Sequence, residues 1–164
     1  SMRKAFTIVE LLVVMALIAL MAGSGAAISL SAGRKKAVDR AAEDLATAMR
    51  QARDFAQAGK KDCSVCKGAD GICNNFDDVP LKGWQVVVDG SGYTVQGMCG
   101  GTTFGNPKKN FLNGVTATAG TGTVLFNPLS LGTNLGSDLT ITLSASGTTP
   151  KSVKVTKNGE VSVP

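Results

Sequence analysis

The sequence contains no histidine. That excludes a Ser–His–Asp triad, a histidine general base and any metal site built on imidazole. No proline occurs before Pro80, so none interrupts a helix in that part of the chain. Charge is also missing where it would be most expected. From Phe6 to Leu30 the only charged residue is Glu10. Nor does the sequence clearly show a basic stripe on a folded domain, the electrostatic footprint of nucleic-acid binding. The net charge of +5 comes largely from Arg3 and Lys4 and from Arg34, Lys35, Lys36 and Arg40. From residue 41 onward, eleven Lys or Arg face ten Asp or Glu.

What is present begins with the apolar run itself. Roughly 20 apolar residues at about 1.5 Å rise each are long enough to cross a hydrocarbon core of about 30 Å. The run therefore reads as a membrane span. It exceeds the apolar core of a cleaved secretory signal, about 7–15 residues. Glu10 is costly inside lipid, on the order of 2.5–3.5 kcal/mol at mid-depth, and needs a counter-charge inside protein. The basic flank after the run matches the one before it, so charge counting does not set an orientation.

Lys4-Ala5-Phe6-Thr7-Ile8-Val9-Glu10-Leu11-Leu12-Val13-Val14 resembles the N-terminal signature of type IV pilins and related pseudopilins. The resemblance implies a leader over residues 1–5 and a prepilin peptidase cut between Ala5 and Phe6. It also implies an N-methylated Phe6. Ala5 stands where the family usually has Gly, and Ser1 ahead of Met2 reads as an addition or a numbering artefact. Glu10 then takes the role of the assembly carboxylate, paired with the N-terminus of a neighbouring subunit. A buried amine and carboxylate compensate each other, whereas either alone is costly.

Further expectations follow from the resemblance. The chain would sit in the cell membrane as a single-pass protein before assembly. Afterwards it would belong to an extracellular pilus or a periplasmic pseudopilus. Its partners would be other pilin subunits, the prepilin peptidase, lipid before assembly, and DNA or a surface ligand, with no small-molecule substrate and no cofactor.

The chain order predicts an α+β, pilin-like fold. Residues 6–30 form a transmembrane and filament-core helix, and residues 31–59 continue it as an amphipathic half. Residues 60–164 form a cysteine-containing loop and an antiparallel β-sheet head. Ala41, Ala42, Leu45, Met49, Ala52, Phe55 and Ala56 recur at three- and four-residue steps, the period of a helix with one apolar face. Gly59 with Lys60 and Lys61 supplies a stop. Inside the apolar half, Gly23, Ser24 and Gly25 put two glycines in one turn, each about 1 kcal/mol worse than Ala. These residues are candidates for melting in a filament, or else for close helix packing.

Cys63, Cys66, Cys73 and Cys99 are even in number. In a head placed outside the cell they favour two disulfides, with three connectivities open. The competing readings are a four-thiolate zinc site, whose usual two close pairs are not matched here, and a redox pair. Asp70, Asp77 and Asp78 are weak calcium candidates, because their spacing fits no EF-hand loop.

Period-two or β-branched segments predict strands at 84–89, 93–98, 115–118, 123–126, 139–144, 153–156 and 161–163. They combine into one sheet of about five to seven strands. Leu125-Phe126-Asn127-Pro128-Leu129-Ser130-Leu131-Gly132 and Lys157-Asn158-Gly159-Glu160-Val161-Ser162-Val163 resemble the C-terminal pattern of the FimT- and GspH-like branch.

The function read from all this is a structural subunit and not an enzyme. The subunit would belong to a type IV pilus filament serving adhesion, motility or DNA uptake. The alternatives are a minor pseudopilin of a type II secretion system, or an anchored DNA- or zinc-binding module that does not polymerise.

Overall fold

The computed structural model describes residues 8–73 and 76–164, with residues 20–31 and 130 described by their backbone alone. The leader, Ala5 and Phe6 lie outside the described residues. Among the described residues one α-helix, α1 (Ile8–Gln57), leads into nine strands and a single 3-10 turn at Pro128–Ser130. The architecture is the expected one: a long N-terminal helix packed on an antiparallel β head.

Helix α1 stops where Gly59 enters the left-handed region at φ 63. The Lys60 N–H donates to the Phe55 carbonyl at 2.9 Å and the Gly59 N–H to the Ala56 carbonyl at 3.1 Å. Those bonds satisfy carbonyls that the helix end would otherwise strand. Lys60 then folds its ammonium over the Phe55 ring, 3.9 Å from the centroid, a cation–π contact.

The head holds two sheets where one was expected. In the first, β1 (Leu81–Asp89) is flanked by β2 (Gly92–Cys99) and β6 (Gly122–Phe126). Strands β3 (Thr102–Gly105) and β4 (Lys109–Asn110) both add to β2. In the second, β5 (Thr116–Ala119), β7 (Leu139–Ser144), β8 (Lys151–Val155) and β9 (Val161–Ser162) follow in that order. All pairings are antiparallel. Strand propensity places a strand but does not choose its neighbour, so the division into two sheets was not readable. Strands β3 and β4 lie in a Gly-, Asn- and Pro-rich stretch and were missed. β3 exists because Gly97 has no side chain: Phe104 lies over it, where a Cβ would collide with the ring.

The amphipathic half of α1 packs against strands of both sheets. Its buried face runs Val38, Ala42, Leu45, Ala46, Met49, Ala52 and Ala56. Across from it lie Trp84, Val86, Val124, Phe126, Ile141, Leu143, Val153 and Val155 in a single core. Small residues on the helix let both sheets approach it, and the larger side chains come from the strands.

The expected membrane anchor is corrected. Among the described residues no helix is long and apolar enough to cross a membrane. The expectations of single-pass residence in the cell membrane, and of the pilus or periplasmic location that was to follow it, are withdrawn.

Candidate assembly surface

Every described side chain from Ile8 to Ala19 is exposed. Ile8 is 79 % exposed, Leu12 64 % and Ile18 61 %. These residues are apolar around the whole helix, apart from Thr7 before them and Glu10 among them. Soluble monomers rarely expose contiguous apolar patches of more than a few hundred Å². Each 100 Å² of such surface withdrawn from water is worth about 2.5 kcal/mol. The segment is therefore a candidate contact surface, and Glu10 stands exposed within it. The backbone is helical through Gly23, Ser24 and Gly25.

Three of the cysteines lie in the loop between α1 and β1, and the fourth ends β2. Cys63 bonds Cys73, and Cys66 bonds Cys99 at the end of β2. With no thiol free, a four-thiolate zinc site is not formed. The indole N–H of Trp84 donates to the Lys60 carbonyl at 2.9 Å, fixing the start of the loop to β1. The acidic residues of the loop do not converge. The Asp70 carboxylate accepts from the Ile72 N–H at 2.8 Å, and Asp77 accepts from the Asp70 N–H at 3.4 Å. Asp78, with its side chain 4 % exposed, meets the Lys61 ammonium at 3.5 Å. Among the described residues no group of three or more His, Cys, Asp or Glu can hold a metal ion.

A third feature was not read from the sequence. The chain around β4 stands off from α1 and leaves a groove of about 570 Å³. Its helix wall carries Gly33, Lys36, Ala37, Arg40, Ala41 and Asp44, and Tyr93 and residues 109–113 form the rest. Asp44 bonds the Lys109 ammonium at 3.1 Å. That hydrogen bond raises the Lys109 pKa, while burial raises that of Tyr93. The helix residues follow the three- and four-residue steps of one helix face. That spacing was the available signal, but nothing in the sequence shows that the opposite wall stays away.

The head therefore joins a helix displaying an all-round apolar end to a disulfide-braced β domain. Residues 41–159, which include the whole β head up to the last turn, match the family described as type II transport protein GspH. The chain belongs to the GspH family. Residues 1–26 match the prokaryotic N-terminal methylation motif. No curated protein and no solved structure matches the chain. Members of the GspH and pseudopilin group are structural subunits without catalytic function, and this chain is one of them. Membership also implies association with other pilin-type subunits and their assembly machinery.

Proposed function

We propose that this chain is a GspH-type minor pseudopilin of a type II secretion system. The observation that carries this reading is the family match over residues 41–159. It favours the secretion subunit over the type IV pilus subunit that the N-terminal signature first suggested, because that signature is common to both. The methylation motif over residues 1–26 supports a cut between Ala5 and Phe6 and methylation of Phe6. Residues 6–30 would be the filament-core segment, residues 31–59 the part that carries the head, and residues 60–164 the head. Glu10 would meet the freed amine of a neighbouring subunit, so that a subunit enters the filament only after cleavage. Gly23, Ser24 and Gly25 are the place where the core segment would loosen in the filament.

The test is co-purification of the tagged chain with the other pseudopilins of its secretion system, with mass spectrometry of its N-terminus. A mature chain starting at methylated Phe6 is expected. Glu10→Ala is expected to lower recovery of the partner subunits about tenfold, the loss of roughly 1.4 kcal/mol. An uncut chain, or partner recovery indifferent to Glu10→Ala, would overturn the proposal.

A further inference from the structure

Asparagine followed by glycine is a chemically reactive pair. Once the glycine nitrogen sheds its proton to solvent, it can attack the asparagine Cγ. A five-membered imide closes and ammonia leaves. Water then opens the ring at either carbonyl, giving aspartate, or isoaspartate with one extra carbon in the main chain. Solvent is the only co-reactant. The pair reacts where that nitrogen carries no hydrogen bond, where nothing shields it, and where the local backbone can rotate. Glycine favours all three, having no Cβ and a wide choice of φ and ψ.

Among the described asparagines only Asn113 and Asn158 precede a glycine. Asn106 and Asn127 precede prolines, which have no N–H to react.

The fold treats the two pairs oppositely. At Asn158 the attacking group is occupied: the Gly159 N–H donates to the Thr156 carbonyl at 2.9 Å. Around it the Thr156 N–H donates to the Glu160 carbonyl at 2.9 Å, and the Glu160 N–H to the Thr156 hydroxyl at 3.1 Å. The Lys157 N–H donates to Asp138 at 3.3 Å, and its carbonyl accepts from the Thr133 N–H at 2.9 Å. Gly159 is buried beside Phe126 and Arg53.

The turn from Leu112 to Val115 is closed by one bond, from the Val115 N–H to the Leu112 carbonyl at 3.1 Å. Asn113 and Gly114 are its central residues, at φ 55 and 72. Among the described residues neither the Asn113 side chain nor the Gly114 N–H has a hydrogen-bond partner. Both residues are exposed, and nothing lies within 4 Å of the point where a Gly114 Cβ would stand. We propose that Asn113 is a self-modifying site, which deamidates to aspartate and isoaspartate in the folded chain while Asn158 stays intact.

The consequence falls on the groove. Asn113 belongs to the wall opposite Lys36 and Arg40, and Lys109 is the charged residue of that wall. Conversion adds a permanent carboxylate there, and the isoaspartate product also lengthens the wall by a carbon. The groove of an old chain thus differs in charge from that of a new one.

The experiment keeps the full chain in mild detergent and mildly alkaline ¹⁸O-labelled water. Peptides are then mapped by mass, and isoaspartate is read by enzymatic methylation. Conversion at Asn113 should exceed that at Asn158 at least about tenfold, because the second turn must open before its nitrogen is freed. In urea with both disulfides reduced, the two rates should fall within about threefold of each other. Asn113→Gln, which would have to close a larger ring, should abolish the signal at position 113 and leave Asn158 unchanged. Equal conversion at the two sites of the folded chain, a lead for Asn158, or an Asn113 that reacts only in urea would each overturn the proposal.

Discussion

Cys66 and Cys99 form a disulfide in which both residues are buried, 0 % and 2 % exposed, across 33 positions of sequence. The second bond, Cys63–Cys73, closes only 10 positions and begins at an exposed residue. Thiolate attack needs access, so graded reductant should open Cys63–Cys73 first. Alkylation and mass mapping would show the order. In the chain-entropy account the longer loop contributes more, about 3.7 against about 2.7 kcal/mol. Cys66→Ser with Cys99→Ser should therefore cost more in urea unfolding than Cys63→Ser with Cys73→Ser. The reverse order would mean that burial and loop length do not govern this pair.

Leu45 is fully buried between the helix and the strands. Leu45→Ala should destabilise the head by about 2–5 kcal/mol, the range for a lost side chain plus the cavity it leaves. Lys35→Ala, on the exposed face of the same helix, should change stability by less than about 0.5 kcal/mol. Urea midpoints of the two variants make the comparison. Similar losses would mean that α1 is not held by this face.

Leu129 occupies the left-handed region at φ 56 and ψ 35, with its side chain exposed. For a branched residue that conformation costs about 1–2 kcal/mol. Asparagine tolerates it better, so Leu129→Asn should raise stability by up to about 1 kcal/mol. A lower melting temperature would show that the leucine makes a compensating contact.

Asp89 closes the turn between β1 and β2. Its carboxylate meets the Lys108 ammonium at 2.6 Å and accepts from the Ser91 and Gly92 N–H groups at 2.8 and 3.0 Å. Lys108 foremost, then Ser91, holds the Asp89 carboxyl well below the usual range. A depressed folded pKa stabilises fully above the unfolded value of about 3.9 and is lost as pH falls through the folded one. Asp89→Asn should therefore be less stable than the natural chain at pH 7, and the gap should close below about pH 4. Asp138, lowered by Lys154, should add to the same acid limb. Melting temperatures from pH 7 to pH 2 would test this. A gap unchanged at pH 2 would rule out the charge as its source.

Several parts of the fold were legible because their cause is local. Gly59 ends α1 through its own backbone freedom, and the Leu45–Met49–Ala52–Ala56 steps mark the buried face whatever packs on it. Flanking residues place a turn between strands at 84–89 and 93–98 but do not fix its length. It is a two-residue turn, with Asp89 paired to Gly92, because the Asp89 side chain supplies acceptors that sequence spacing does not reveal. Arg50 and Asp54 stand four apart, a spacing at which helix side chains can pair. Arg53 takes Asp54 at 3.4 Å instead, and Arg50 reaches the Val161 carbonyl at 3.4 Å.

The order of residues alone determined the long helix, its apolar and amphipathic halves, the places of most strands and the kinship with pilin-type subunits. Each depends on periodicity or on a short run of neighbours, which chain order carries directly. Only the tertiary structure decided that the strands split into two sheets, that Cys66 joins Cys99, and that the chain at Lys109–Asn113 stands off from Gly33–Asp44. Those outcomes depend on which distant segments meet, and that is set by packing the whole core at once.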